Sequence, residues 1–116
     1  MKYMFLIYSA ENSGPKPGTD EFGALMAGYG AFNEQAVASG MMREGAPLEG
    51  ISSSTTVQVR GGKPSVVDGP FAETKEVLGG YYVLECKDLD EAIAQAAKIP
   101  TAAYGSIEIR PVMDMA

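Results

Sequence analysis

Histidine is absent from this 116-residue chain, and cysteine occurs once, at Cys86. Without an imidazole there is no serine or cysteine triad, no histidine–carboxylate dyad and none of the zinc or iron sites that lean on histidine. A single cysteine excludes an intrachain disulfide and every CxxC redox or zinc motif. The acidic residues are too dispersed for a calcium loop, so no metal and no cofactor is expected. Positive charge is also scarce, with 9 Lys and Arg against 15 Asp and Glu and a net charge of −6. Nucleic-acid binding needs a basic surface to displace phosphate counterions, and the chain has no run of even three basic residues. Long apolar runs are missing as well: Tyr3-Met4-Phe5-Leu6-Ile7-Tyr8 is far short of the roughly 20 residues that span a bilayer. Polar residues follow that run at once, so it reads as a strand rather than a signal peptide. A cytoplasmic protein with no membrane partner is the expectation, folded as one domain over 1–116.

What is present is a clear alternation of periods. Residues 2–9 are rich in aromatic and branched side chains, with Tyr3, Phe5 and Ile7 on one face of a strand and Met4, Leu6 and Tyr8 on the other. A loop dense in glycine and proline follows. Over 19–39 the period becomes helical: Phe22, Leu25, Met26, Tyr29, Phe32, Asn33, Ala36 and Val37 form one stripe. Thr19 or Asp20 caps its start and Gly40 ends it. Gly23, Gly28 and Gly30 within it suggest that another element approaches its backbone closely. Residues 41–47 read as a short strand, and 54–60 and 63–68 flank Gly61-Gly62 as a tight hairpin. A strand over 79–86 comes next. Asp88 and Glu91 then open a second helix with Ala92, Ile93, Ala96 and Ile99 as its buried stripe, and a half-exposed strand closes the chain over 106–110.

Two helices interrupting four main strands predict an α+β, ferredoxin-like split β-α-β domain with an added β-hairpin arm. Both helices would cover one face of the sheet. Its other face keeps apolar residues with no third helix to cover them, and an uncovered apolar sheet face marks an interface. A two-fold homodimer, packed sheet to sheet, is therefore expected.

The block Asp68-Gly69-Pro70-Phe71-Ala72-Glu73-Thr74-Lys75-Glu76, followed by Leu78-Gly79-Gly80-Tyr81-Tyr82, resembles the signature of the DGPF group of YCII-related proteins. The opening Met1-Lys2-Tyr3-Met4 with Leu6-Ile7-Tyr8, the Leu89-Asp90-Glu91-Ala92 segment with Pro100, and Ile107 to Val112 are similar to the group's other segments. The resemblance covers essentially the whole chain and implies a dimeric α+β barrel. It implies little about activity: some genomes place such proteins beside extracytoplasmic-function sigma factors, and a few wider relatives act on ring metabolites by isomerase- or lyase-type chemistry. Those relatives carry a histidine in the first helix and an aspartate before a proline in the second. Here the corresponding positions hold Tyr29 and Ile99.

Asp68 is the candidate catalytic residue, a general base at the end of the arm; an aspartate that braces its own turn through backbone amides is the structural alternative. Lys75 could bind a small carboxylate while Glu73 relays a proton, although the same cluster also reads as a solvated turn with ion pairs. Tyr29 and Tyr81 could offer phenols to a ligand, or serve as core residues with satisfied hydroxyls. Gly79-Gly80 either admits a ligand or forms a bulge. Arg43 and Arg110 read as surface charges, and Cys86 as buried and inert. Two functions from different classes follow. In one, a homodimer binds a small organic molecule near Asp68, with weak isomerase or lyase chemistry. In the other, a non-catalytic accessory protein serves a protein partner in a stress circuit.

Overall fold

The computed structural model describes residues 1–115. Strand β1 (Lys2–Ala10) is followed by helix α1 (Asp20–Ala38), strand β2 (Met42–Pro47), the hairpin β3 (Thr55–Arg60) and β4 (Lys63–Asp68), strand β5 (Glu76–Glu85), helix α2 (Leu89–Ala96) and strand β6 (Ser106–Pro111). Four strands make an antiparallel sheet in the order β2-β5-β1-β6, while β3 and β4 pair only with each other. Two helices with antiparallel sheets give the expected mixed α+β architecture, consistent with a ferredoxin-like fold.

The chain's own side chains set the element ends. Thr19 accepts a hydrogen bond from the Phe22 amide at 3.2 Å and so caps α1. Gly40, with φ of +80°, stops the helix in a conformation that a side chain would resist. Asp88 caps α2 by accepting from the Glu91 amide at 2.9 Å, and Glu91 reaches back to the Lys87 amide at 2.9 Å. Gly61 and Gly62 both have positive φ, as a two-residue turn of the first primed type requires.

The core lies between the sheet and the helices. Tyr3, Phe5 and Ile7 of β1 and Tyr82 and Leu84 of β5 pack with Phe32 and Ala36 of α1 and with Ala92, Ala96 and Ile99. The rings of Phe32 and Tyr82 meet at 5.0 Å, tilted by 50°. Some expectations are corrected. Ile93 of the predicted α2 stripe is half exposed, and Gln95 is buried in its place. The Gln35 amide donates to Gln95 Oε1 at 2.8 Å, which removes the penalty of burying it. Of the three glycines in α1, only Gly28 faces a close neighbour, Pro100; Gly23 and Gly30 look onto open space. Met26 and Val37 are exposed, so the helix covers the sheet with a narrower stripe than its composition suggests.

The opposite face of the sheet carries no helix. Met4, Leu6 and Tyr8 lie there beside Tyr81 and Val83 of β5, flanked by Glu44 of β2 and by Glu108 and Arg110 of β6. Met4, Leu6, Tyr8 and Tyr81 are only partly covered. The arm pairs with no strand of that sheet and is exposed along almost its whole length, and the whole chain measures 48 × 45 × 19 Å. Its radius of gyration of 16.2 Å exceeds the roughly 13 Å typical of a domain this long, as a projecting element requires.

Candidate functional site

A concavity lies where the arm joins the sheet, and a β-bulge builds one wall of it. Ile7 pairs with Gly80, but Tyr8 pairs with Leu78, so Gly79 is the extra residue on β5. Simple alternation from Tyr82 and Gly80 would send Leu78 toward the helices. The bulge turns it to the open face beside Tyr8 instead. Gly80 is itself required close to β2, because a Cβ there would lie 3.1 Å from the Ala46 carbonyl oxygen.

Tyr8 and Leu78 line a cavity of about 600 Å³ together with Val77. Leu48, Glu49 and Ile51 from the segment after β2 enclose one side, and Pro70 and Phe71 from the segment after β4 enclose the other. The polar side chains in the lining are Tyr8, Glu49, Glu76, Ser53, Ser54 and Thr74. Glu76 accepts from the Ser106 hydroxyl at 2.8 Å, and the Thr74 hydroxyl donates to the Glu76 carbonyl at 2.6 Å. No lysine or arginine borders the cavity.

The DGPF block forms the root of the arm. Gly69 takes φ of +100°, its amide donates to the Ser54 carbonyl at 2.8 Å, and its carbonyl accepts from the Thr56 hydroxyl at 2.7 Å. These bonds close the turn without Asp68, whose exposed carboxylate has no hydrogen-bond partner among the described residues. The brace role considered for Asp68 thus belongs to Thr56 and the backbone. Glu73 and Lys75 are exposed and form no ion pair among the described residues. Phe71 is 84% exposed, though its ring borders the cavity.

The remaining candidates lie apart from this concavity. Tyr81 stands on the open face and donates to Glu44 at 2.5 Å, a hydrogen bond that holds its phenol above the ordinary pKa. Tyr29 is on the helix side, where its hydroxyl meets that of Thr101 at 2.5 Å, and burial pushes its phenol up. Tyr82, similarly raised by burial, donates to Asn33 at 2.7 Å. The two segments in which the resemblance implies a histidine and an aspartate therefore do meet, but a phenol and an alcohol occupy the contact. Arg43 is spent on the Gly40 carbonyl at 2.6 Å, and Cys86 is buried with its thiol pKa raised by desolvation. No cluster of three metal-ligating residues occurs among the described residues, and no helix among them is long and apolar enough to cross a membrane.

Asp68, Glu73, Lys75, Tyr29 and Tyr81 are not in the cavity lining. Tyr8, Glu49, Glu76 and Leu78 are, and of these only Glu76 lies in the polar cluster 73–76 that the sequence brings forward; for Leu78 the local signal was Gly79-Gly80, whose bulge re-aims it.

The model of the YCII-related domain matches residues 1–116. An uncharacterised protein of Rhizobium meliloti (strain 1021) is 34% identical over 114 residues, which cover 97% of this chain and 92% of that protein. The chain belongs to the YCII-related family.

Proposed function

We propose that this YCII-related protein, a member of the DGPF group by its Asp68-to-Phe71 block, is a homodimer that binds a small organic molecule in the cavity at the arm root. The cavity itself carries this reading: at about 600 Å³ it falls within the roughly 300–1,000 Å³ of small-molecule sites. Its walls are mainly apolar, and its ionisable groups are Tyr8, Glu49 and Glu76. Two carboxylates without a cation favour a neutral or positively charged ligand over an organic acid. Any isomerase or lyase step would use a carboxylate as base, from Glu49 or Glu76 in the wall or from Asp68 just beyond it. The open sheet face supports the dimer, since its apolar centre and charged flanks match the anatomy of a protein interface.

Sedimentation velocity at micromolar concentration should give about twice the 12.2 kDa chain mass. A thermal-shift screen should pair neutral lactones and phenols, and matched amines, with their carboxylic-acid counterparts, using wild type and Ile51→Glu. Neutral and cationic compounds should raise the wild-type Tm by several degrees, and the neutral ones should leave the still-folded variant, whose added carboxylate favours only amines, unmoved. Equal stabilisation by the acids would overturn the ligand class. Silence from every compound would overturn small-molecule binding and leave the accessory role with a protein partner.

A further inference from the structure

We propose that the β3–β4 arm clasps a second copy of this chain, and that the clasp holds the cavity in its binding shape; this rests on the dimer proposed above. The hairpin register places Val57 opposite Val66 and Val59 opposite Pro64, so these four side chains share one face. Gln58, Arg60, Lys63 and Ser65 share the other face with Val67. The arm is thus amphipathic, yet Val57 is 59% exposed, Val59 57% and Val66 65%. A lone two-stranded hairpin is marginal in water and gains its stability by laying an apolar face on something else. Its own chain leaves that face in solvent.

Charge and position identify the occupant. Arg60 and Lys63 flank the turn at the arm tip, in a chain whose net charge is −6. A copy of the same chain carries that negative balance, with Glu44, Glu49 and Glu108 exposed beside Arg110 on or next to the open sheet face. The arm root is continuous with that face, because Tyr8 belongs to the face and also borders the cavity whose far wall is Pro70 and Phe71. A second copy seated on the open face is then within reach of the arm. Once the arm is seated, the segments 48–54 and 69–75 that wall the cavity are held at both ends. Dimerisation and ligand binding become linked, each tightening the other by the same factor.

The test mixes unlabelled and 15N-labelled wild-type protein at a concentration where sedimentation shows the oligomeric state. A carbodiimide then joins amines to carboxylates in contact, and mass spectrometry reads the Lys63 cross-links. Mixed-isotope Lys63 peptides are expected. If the protein sediments as a dimer but Lys63 joins only its own copy, or nothing, the clasp is overturned and the dimer stands. If it sediments as a monomer, both fall. The double variant Val57→Thr and Val66→Thr keeps β-branched side chains in an exposed hairpin, so the fold is retained. It should raise the dimer dissociation constant about tenfold or more, and weaken binding of the neutral dye N-phenyl-1-naphthylamine at fixed protein concentration. An unchanged dissociation constant would overturn the clasp.

Discussion

The strands of the four-stranded sheet and of the two-stranded arm both sort their side chains onto two faces by a period of two, but the sorting has opposite results in the two. In β1 and β5 one set of side chains is sealed beneath α1 and α2, so that Phe5 and Leu84 have no exposure at all. In the arm the apolar set, Val57, Val59 and Val66, stays more than half exposed. Period-two patterning sorts residues onto faces, and what then covers a face depends on the rest of the chain. The body closes on itself because two helices fold back over one side of its sheet. The arm receives no such cover from its own chain.

Substitutions at matched positions test this contrast most sharply. Phe5→Ala should cost about 3–5 kcal/mol in denaturant unfolding, because it removes a wholly buried ring from the core. Val59→Ala, measured at a concentration below the dimer dissociation constant, should stay within about 0.5 kcal/mol of wild type. Similar losses at both positions would show that the arm is packed within the monomer.

A smaller effect belongs to the buried phenols of the body. Tyr29→Phe forfeits the hydrogen bond to Thr101 and should cost about 1 kcal/mol at neutral pH. Burial raises the phenols of Tyr29 and Tyr82 above the ordinary value of 10.0. The unfolded chain therefore releases these protons first. Stability that is full below pH 10 falls as the pH rises through the folded pKa values, and Tyr29→Phe should make that fall shallower. A fall of unchanged steepness in the variant would remove Tyr29 as a contributor.

The smallest effect is at the surface. The Met1 ammonium hydrogen-bonds Glu85 and holds its carboxyl below the ordinary value of 4.5. Its contribution is present above that value and fades as the pH drops through the folded pKa, so Glu85→Gln should slightly flatten the acid limb of the stability curve. An acid limb left unchanged by Glu85→Gln would remove this pair as a contributor.

Much of the fold was legible because its determinants are local. Thr19 and Gly40 bracket α1, Asp88 and Glu91 start α2, and Gly61-Gly62 turns the arm, each through bonds or dihedrals within a few residues. The exchange of Ile93 for Gln95 in the buried set was not legible, since it depends on Gln35, 60 residues away. The cavity was least legible. Its walls come from β1, the segment after β2, the arm root and β5, and the role of Leu78 turns on a bulge at Gly79. Motif reading favoured Asp68, Glu73 and Lys75 because they are polar and adjacent in a distinctive block. The structure sets the same block's Pro70, Phe71 and Thr74 at the cavity instead.

By itself, then, the sequence determined the class of fold, the caps of both helices, the turn of the arm and the lack of imidazole chemistry, which follow from composition, periodicity and short-range bonding, while its motifs carried the resemblance to the family. Only the tertiary structure decided that the arm stands clear of its own body and that the concavity is walled by carboxylates and apolar side chains without a cation. These are outcomes of long-range packing, in which residues far apart in the chain compete to cover the same surface, and local patterning cannot say which of them will.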